Sequence, residues 1–302
     1  LVFGANGFIG SNLVDHLSKE NKVIAVDRYS REPDFEKDKN ILIIKADINK
    51  DLKKLANLNK KNSVDGVVWA IGDIIPTEKL LNQDKILETA VPAVVILRDY
   101  LEKNLPVVLV SSAGMLYVPK ARVTETSRIE PWTWYGLQKL ILEKALLLLA
   151  KDYQNQNLRV LRVSSVYGER QPLHKEQGVV GKIIESVVTK KVFPLYGSNQ
   201  SRRDFIYVQD LAVIIAEVLV KKLKHQIYNV SSGQGYPISE VISATEKISG
   251  RKIKIKTLSK RDADPVHIDV SNRRLLGELK GVKFTSLQKG LRRTYNYFKD
   301  KL

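Results

Sequence analysis

The chain of 302 residues contains no cysteine and a single methionine. Without cysteine it has no disulfide scaffold, no thiolate nucleophile and no zinc–cysteine site, and nothing points to an oxidising compartment. We therefore expect a cytoplasmic protein. Long apolar runs are also missing, since the longest, ALLLLA at 145–150, is far shorter than the ~20 residues that span a bilayer. The sequence predicts no membrane span.

Acidic residues are outnumbered, because 50 Lys and Arg against 33 Asp and Glu give a formal net charge of +17. Nucleic-acid or anionic-membrane binding is one explanation, and a lysine-rich solvated surface is another. The lysines are dispersed and no nucleic-acid-binding motif accompanies them, so we expect no nucleic-acid partner. A third use of the charge is to steer an anionic substrate such as a nucleotide diphosphate. The four histidines show no ligand spacing, and no metal site is expected.

The first half of the chain alternates between strands and helices. Short apolar strands are predicted at LVFGA, KVIAVD, ILIIKAD, GVVWAIG, PVVLVSS and LRVLRVSS, with helices that include one over about 80–103 and one that holds Tyr135. Strands that are apolar on both faces are typical of a parallel sheet covered by helices on each side. The pattern predicts an α/β fold with a doubly wound parallel sheet. Because the chain opens inside a strand, we expect a few residues ahead of Leu1.

The alternation loosens after about residue 165. A polar loop, VYGERQPLHKEQG, is followed by a helix at VVGKIIESVV and a short strand at VFPLYG, and DLAVIIAEVLVKKL and QIYNVSS then return to a helix and a strand. We predict a dinucleotide-binding domain at 1–165 plus about 205–230. We predict a smaller C-terminal α/β substrate-binding lobe at 166–204 and 231–302, over the carboxyl edge of the sheet.

A glycine-rich loop joins the first strand to the first helix in LVFGANGFIGSNLVDHL. Gly4 allows the tight turn, Gly7 lets backbone approach a pyrophosphate, and Gly10 allows close helix–strand packing. The helix N-terminus offers amide donors to the phosphates. An acid at the end of the second strand, Asp27, accepts hydrogen bonds from an adenosine ribose and repels a 2′-phosphate. The loop predicts NAD rather than NADP, although Arg28 next to Asp27 can accept a 2′-phosphate.

Tyr135 and Lys139 stand four residues apart in WTWYGLQK, at the start of a predicted helix. Such a pair shares one helix face and is either a solvated surface contact or a phenol whose acidity the ammonium changes. The glycine loop and the acid upstream favour the second interpretation. A phenol with a pKa of about 10 is mostly protonated at neutral pH and is a poor base. We expect Lys139 and an oxidised nicotinamide to lower the pKa of Tyr135 toward neutrality.

With these motifs in this order, the chain resembles the extended short-chain dehydrogenase/reductase family, and most of all its nucleotide-sugar epimerases of the UDP-glucose 4-epimerase type. The resemblance covers essentially the whole chain. GANGFIG matches the glycine loop, ADI at 46–48 matches the adenine segment, and VSSAGMLY matches the end of the fifth strand. YGLQK matches the catalytic motif, and RRDFIYVQD and RDAD match the arginine motifs. It implies an NAD-dependent enzyme, a nucleotide-diphosphate sugar as substrate, and a homodimer that packs the helices at 80–103 and 133–151.

The resemblance also implies the site residues. Tyr135 is the expected base, Lys139 its electrostatic partner, and Ser112 the hydroxyl that orients the reacting oxygen. The implied cofactor-binding residues are Gly4, Asn6, Gly7, Phe8, Ile9, Gly10, Asp27, Asp47, Ile48, Ala70, Tyr135 and Lys139. The implied substrate-binding residues are Ser165, Gln177, Val179, Arg203 and Arg261, with both arginines on the diphosphate.

Some positions depart from the family pattern. Counted forward from the fifth strand, Ser112 stands where the family has its catalytic hydroxyl. Counted back from Tyr117, it stands one residue too early. Ser112 therefore either orients the substrate or merely ends the strand. Ala90 and Ser165 stand where many relatives have asparagine.

The segment Ala113, Gly114, Met115 lacks the acid that the family's dehydratases and decarboxylases need, and the fucose-type epimerase-reductases use a cysteine. Exclusion within the family leaves 4-epimerisation, and the leading hypothesis for the substrate is UDP-glucose/galactose or their N-acetyl forms. A nucleotide-sugar reductase or dehydrogenase, and a catalytically inactive cofactor-binding member, are the alternatives.

Overall fold

A computed structural model describes residues 1–36, 38–72, 74–77, 84–119, 122–173, 178–262 and 267–301. Its central layer is a seven-stranded sheet in which every neighbouring pair is parallel. This architecture confirms the predicted doubly wound α/β fold. In spatial order the strands are β10 (Ile227–Val230), β6 (Leu158–Val163), β5 (Val107–Ser112), β4 (Val67–Trp69), β1 (Val2–Phe3), β2 (Val23–Asp27) and β3 (Ile41–Lys45).

Helices cover both faces of this sheet. On one face α1 (Phe8–Leu17) and α7 (Val208–Val220) bury their apolar side chains against alternate residues of the strands. On the other face α4 (Asp84–Glu102) and α5 (Trp134–Asp152) do the same. Two short helices, α2 (Leu52–Ala56) and α3 (Leu58–Lys61), precede β4 and were not predicted. Among the residues that the structure describes, no helix is long and apolar enough to cross a membrane.

The outermost strand, β3, differs from the prediction that the strands are buried on both faces. Leu42 and Ile43 are 50% and 42% exposed. The cause is position, because β3 is the last strand in the sheet order and its apolar residues lie at the rim of the layers that bury β1 and β2. An apolar run therefore identified the strand but not its place in the sheet.

A second core lies beside the sheet and is built mainly from later residues. Three helices, α6 (Val179–Thr189), α8 (Ile238–Ser249) and α10 (Leu287–Lys299), pack together around it. Phe205 and Tyr207 pack in this core. The strands here are β7 (Ser165–Tyr167), β8 (Phe193–Tyr196), β9 (Arg202–Tyr207), β11 (Gly235–Pro237), β12 (Ile255–Leu258) and β13 (His267–Ile268), and a short α9 (Arg273–Glu278) lies against β10.

Candidate active site

In the loop between β1 and α1, the backbone at the start of the helix lies in close contact with the backbone at the end of the strand. Gly4 has φ +80°, a conformation that favours glycine. A Cβ at Gly10 would lie 1.9 Å from the carbonyl oxygen of Gly4, and one at Gly7 would lie 3.1 Å from the same atom. The N-terminus of α1 therefore comes as close to the end of β1 as backbone atoms allow. This is the cradle that a dinucleotide pyrophosphate needs, and side chains would fill it.

Asp27, at the end of β2, is held beside this cradle. One carboxylate oxygen accepts the backbone N–H of Asn6 at 2.9 Å, and the other accepts that of Arg28 at 2.7 Å. The Asn6 amide fastens the following loop, because its Nδ2 donates to the carbonyl of Arg31 at 3.2 Å and its Oδ1 accepts the N–H of Asp34 at 3.0 Å. The sequence predicted Asn6 only as a cofactor contact, and the structure shows that its side chain also shapes the pocket wall.

The catalytic candidates meet where β5 ends and α5 begins. Thr133 caps the helix, since its hydroxyl accepts the N–H of Gly136 at 3.1 Å. The cap holds Tyr135 in the first turn, where Tyr135 and Ser112 line the same cavity and the Ser112 side chain lowers the pKa of the phenol. Lys139 follows one turn later, and its Nζ lies 5.8 Å from the centroid of the Tyr135 ring.

The ammonium of Lys139 is held by backbone carbonyls. Its Nζ donates to Ile71 at 3.3 Å and to Val110 at 3.2 Å, at the ends of two neighbouring strands. Gly72 makes room for it, because a Cβ there would lie 3.3 Å from the Nζ. The lysine is therefore buried and oriented before any ligand contacts it.

Burial raises the pKa of Tyr135 above its usual value, and the hydrogen bond with Ser112 acts in the opposite direction. The sequence predicted a lowered pKa for the enzyme loaded with oxidised cofactor. The protein alone does not provide that lowering, because the phenol loses hydration. A positive charge brought next to the ring would have to supply it.

The segment after β5 lines the same space. Gly114 and Met115 border the cavity, and a Cβ at Gly114 would meet no heavy atom within 4 Å. The carbonyl of Met115 presses on the start of α5, since a Cβ at Gly136 would lie 2.3 Å from its oxygen. A glycine in the helix thus accommodates the longer segment before Tyr117, and Ser112 still lines the cavity with Tyr135.

Two arginines predicted to bind substrate approach this space from the second core. Arg203, on β9, donates from Nη1 to the carbonyl of Arg202 at 2.9 Å. The Arg261 guanidinium lies 4.1 Å from the centroid of the Tyr196 ring. Both arginines, with Ser165 and Val179, line the same cavity as the catalytic candidates. Gln177 lies outside the described residues.

These residues surround one cavity of about 790 Å³, large enough for a nucleotide-sized ligand. Gly10 packs behind the cradle instead of lining it. The predicted residues that line the cavity are Gly4, Asn6, Gly7, Phe8, Ile9, Asp27, Asp47, Ile48, Ala70, Ser112, Tyr135, Lys139, Ser165, Val179, Arg203 and Arg261.

Among the described residues that line the cavity, basic side chains outnumber acidic ones. Such a lining favours ligands that carry phosphates. The basic residues are Arg28, Arg31, Lys139, Arg170, Lys182, Lys191, Arg203 and Arg261, and the acidic ones are Asp27, Asp47 and Glu185.

Sequence reasoning missed Arg170, which follows β7 in the GERQ segment. Its guanidinium forms an ion pair with Asp15 of α1 and donates to the carbonyl of Ser11 at 3.0 Å. Its backbone is left-handed, with φ +66°. It ties the loop after β7 to the glycine-loop helix. The sequence identifies GERQ only as part of a polar loop, because these partners are more than 150 residues away and no local pattern shows them.

Comparison with known proteins identifies the family. The model of the NAD dependent epimerase/dehydratase family matches residues 1–231. A putative UDP-glucose 4-epimerase of Methanocaldococcus jannaschii is 28% identical, over 99% of this chain and 98% of its own. A dTDP-4-dehydro-6-deoxyglucose reductase of Escherichia coli is 24% identical, over 90% of this chain and 86% of its own.

A solved structure, the Thermus thermophilus UDP-glucose 4-epimerase in complex with NAD, has a TM-score of 0.87 and 25% identity, and the match covers 100% of this chain and 99% of that one. The resemblance drawn from the motifs is confirmed, and with it NAD as the cofactor. The chain belongs to the NAD dependent epimerase/dehydratase family.

Proposed function

We propose that this protein catalyses the NAD-dependent 4-epimerisation of a nucleotide-diphosphate sugar, UDP-glucose/galactose or their N-acetyl forms. The main observation behind the proposal is that Ser112, Tyr135 and Lys139 line one cavity with the glycine loop and with Arg203 and Arg261. The relative from M. jannaschii and the structure from T. thermophilus, both described as UDP-glucose 4-epimerases, support it.

In this proposal Tyr135 accepts the proton of the sugar O4 and returns it after the sugar has turned. Ser112 hydrogen-bonds the same oxygen and orients it. Lys139 keeps positive charge near the phenolate, and its fixed position avoids reorganisation during the reaction. Bound NAD supplies a reversible hydride acceptor for C4, so the reaction has no net redox change.

The cofactor would lie along the glycine loop. Gly4, Gly7 and the amides at Phe8 and Ile9 would bind its pyrophosphate, with Gly10 allowing the close approach. Asp27 would accept hydrogen bonds from the adenosine ribose. Asp47 and Ile48 would enclose the adenine, Asn6 and Ala70 would complete the pocket wall, and Tyr135 and Lys139 would face the nicotinamide ribose.

The substrate would bind from the second core. Arg203 and Arg261 would hold the diphosphate, with Ser165, Gln177 and Val179 completing the nucleotide side. Anchoring the phosphates leaves the keto sugar free to turn over in the cavity. The division proposed from the sequence, a dinucleotide-binding domain and a smaller substrate lobe, assigns the two ligands to the two parts of the chain.

The test is an incubation of the NAD-loaded protein with a panel of UDP-sugars, followed by NMR and mass analysis of the products. We expect interconversion of 4-epimers without accumulation of NADH. Stoichiometric NADH formation or consumption would instead favour a nucleotide-sugar reductase or dehydrogenase, which the similarity to the E. coli reductase makes the second candidate. Tight NAD binding with no product from any sugar would indicate an inactive member.

We also propose that the protein is a cytoplasmic homodimer that packs α4 and α5 of each subunit together. Leu87, Val91 and Val95 follow one another at one-turn spacing on α4 and are 54%, 51% and 39% exposed. Light scattering should show a dimer for the wild type and a monomer for Val91→Lys. A monomeric wild type would contradict the proposal. The location follows from the lack of cysteine, and cell fractionation tests it.

A further inference from the structure

A buried ion pair lies behind the catalytic candidates. Arg162 of β6 and Glu143 of α5 have side chains only 2% and 0% exposed. Arg162 donates to one Glu143 oxygen from Nη2 at 2.7 Å and from Nε at 3.0 Å, and also reaches the other oxygen from Nε at 3.2 Å. Both belong to the interior between sheet and helix.

The pair is joined to the strand that carries Ser112. The neighbouring residue, Ser111, donates its hydroxyl hydrogen to Glu143 Oε1 at 2.5 Å. Ser111 is also the register partner of Arg162 between β5 and β6. Glu143 lies one helical turn after Lys139 and two turns after Tyr135. The contact from Ser111 to Glu143 therefore connects the strand of Ser112 directly to the helix of Tyr135.

The same cluster anchors the far end of the segment after β5. Arg162 Nη1 donates to the Tyr117 hydroxyl at 2.9 Å, which in turn donates to Asn229 Oδ1 of β10 at 2.7 Å. Tyr117 follows Gly114 and Met115, which line the cavity. Strand, segment and helix are thus fixed to one another at a single point.

Burying two charges is a poor way to gain stability, because desolvation opposes their attraction and apolar replacements of similar volume are often neutral or better. A buried, bidentate pair does define one geometry. We propose that Glu143, Arg162 and Ser111 form a positioning cluster that sets α5 against β5 and so holds Tyr135 and Lys139 at the distance from Ser112 that the reaction needs. The catalytic part of this inference rests on the proposed epimerisation.

Two variants test the cluster. Glu143→Leu/Arg162→Met removes both charges together, so no buried charge is left unpaired, although the Ser111 hydroxyl loses its acceptor and the Tyr117 hydroxyl loses one donor. Ser111→Ala removes only the link from strand to helix. In the full-length protein we expect wild-type NAD affinity, a sugar KM within about twofold, and a kcat about 10 to 100 times lower in the double variant, since misplacement by about 1 Å costs on that order. For Ser111→Ala we expect a smaller loss of kcat, again without a change in KM.

Tyr228→Phe is the matched control. Tyr228 is a fully buried tyrosine of the same sheet whose hydroxyl donates to a carboxylate, Glu278 Oε1, at 2.9 Å. The substitution removes this partly buried hydrogen bond and the one that the hydroxyl accepts from the N–H of His225 at 2.8 Å, both away from the cavity, so we expect an unchanged kcat. A general loss of stability would lower the activity of both variants and control alike.

Crystal structures of the wild type and the double variant give a readout that needs no substrate. We expect the hydroxyls of Ser112 and Tyr135 to lie farther apart in the variant than in the wild type. Either an unchanged distance between these hydroxyls or a wild-type kcat in a folded double variant overturns the proposal. If the double variant does not fold, the same two measurements, the Ser112–Tyr135 geometry and kcat, are made on Ser111→Ala, and wild-type values in that variant overturn the proposal. If the wild type epimerises no sugar, the proposed function fails while the structural readout still decides on the cluster.

Discussion

Gly10 packs against the carbonyl of Gly4 so closely that a Cβ would lie 1.9 Å from the oxygen. The obstacle is backbone and cannot rotate away, so Gly10→Ala should push α1 off the end of β1. We expect a loss of about 1–3 kcal/mol in the free energy of unfolding and a strong loss of NAD affinity. Urea denaturation and an NAD titration measure the two effects.

Gly277→Ala is the control for this substitution. Gly277 lies in α9, and a Cβ there would meet nothing within 4 Å. Because alanine restricts the unfolded chain more than glycine does, we expect a gain of about 0.5–1 kcal/mol. Equal effects at the two positions would contradict the packing argument.

Tyr135→Phe removes the proposed base and little else. We expect kcat to fall by about 10²–10⁴-fold, the usual contribution of a positioned acid or base, with an unchanged melting temperature. Tyr153→Phe, at the C-terminal end of the same helix, should leave turnover as it was. Near-normal turnover of the Tyr135 variant by a coupled epimerisation assay would reject the role.

The pKa of Tyr135 should appear in the pH dependence of kcat. Burial raises this pKa and the hydrogen bond from Ser112 lowers it. Since only the phenolate accepts the proton, kcat should increase with pH up to the pKa of the loaded enzyme. Ser112→Ala removes a bond that favours the phenolate, so the rise should move to higher pH. A shift to lower pH, or none, would argue against the contact.

Asp204 should make stability depend on pH. Its carboxyl is 2% exposed, and burial raises its pKa to about 7 despite hydrogen bonds to one oxygen from Ser164 and Ser232. Because the pKa of Asp204 is higher in the folded than in the unfolded protein, its protonated carboxyl contributes fully to the free energy of unfolding below the unfolded-state pKa of about 4. This contribution is lost as the pH rises through about 7, a change on the order of 4 kcal/mol.

The neutral substitution Asp204→Asn should remove that part of the pH dependence. An amide keeps an acceptor for the Ser232 donors and has no charge to desolvate. Between about pH 5 and about pH 8, the free energy of unfolding should fall less in the variant than in the wild type. Urea denaturation at the two pH values measures this difference. An equal loss in both proteins would assign the dependence to another group.

Much of this structure could be predicted from local sequence patterns. Tyr135 and Lys139 are neighbours because of helical spacing alone. The loop from Gly4 to Gly10 needs glycine for the tight turn and for the close approach of helix to strand, and both needs follow from the strand–turn–helix pattern in the sequence. The doubly wound parallel sheet also followed from alternating strands and helices. These features depend on residues close together in the chain.

The rest depends on distant partners. The exposure of Leu42 could not be read from an apolar run, because it is decided by the strand's place at the sheet edge. The contact of Arg170 with Asp15 joins segments that only the folded chain brings together. The raised pKa of Tyr135 is a result of burial, which depends on all the elements that pack around the phenol.

The late position of β10 in the chain has a consequence for how the protein is made. β6 ends at Val163, but its outer neighbour begins only at Ile227. At about 5–20 residues per second, a ribosome needs roughly 3–13 s to synthesise the segment between them. During that interval the newly made sheet presents an unpaired, apolar edge. An unpaired apolar edge favours aggregation of the nascent chain, so a chaperone that covers it during this interval should raise the yield.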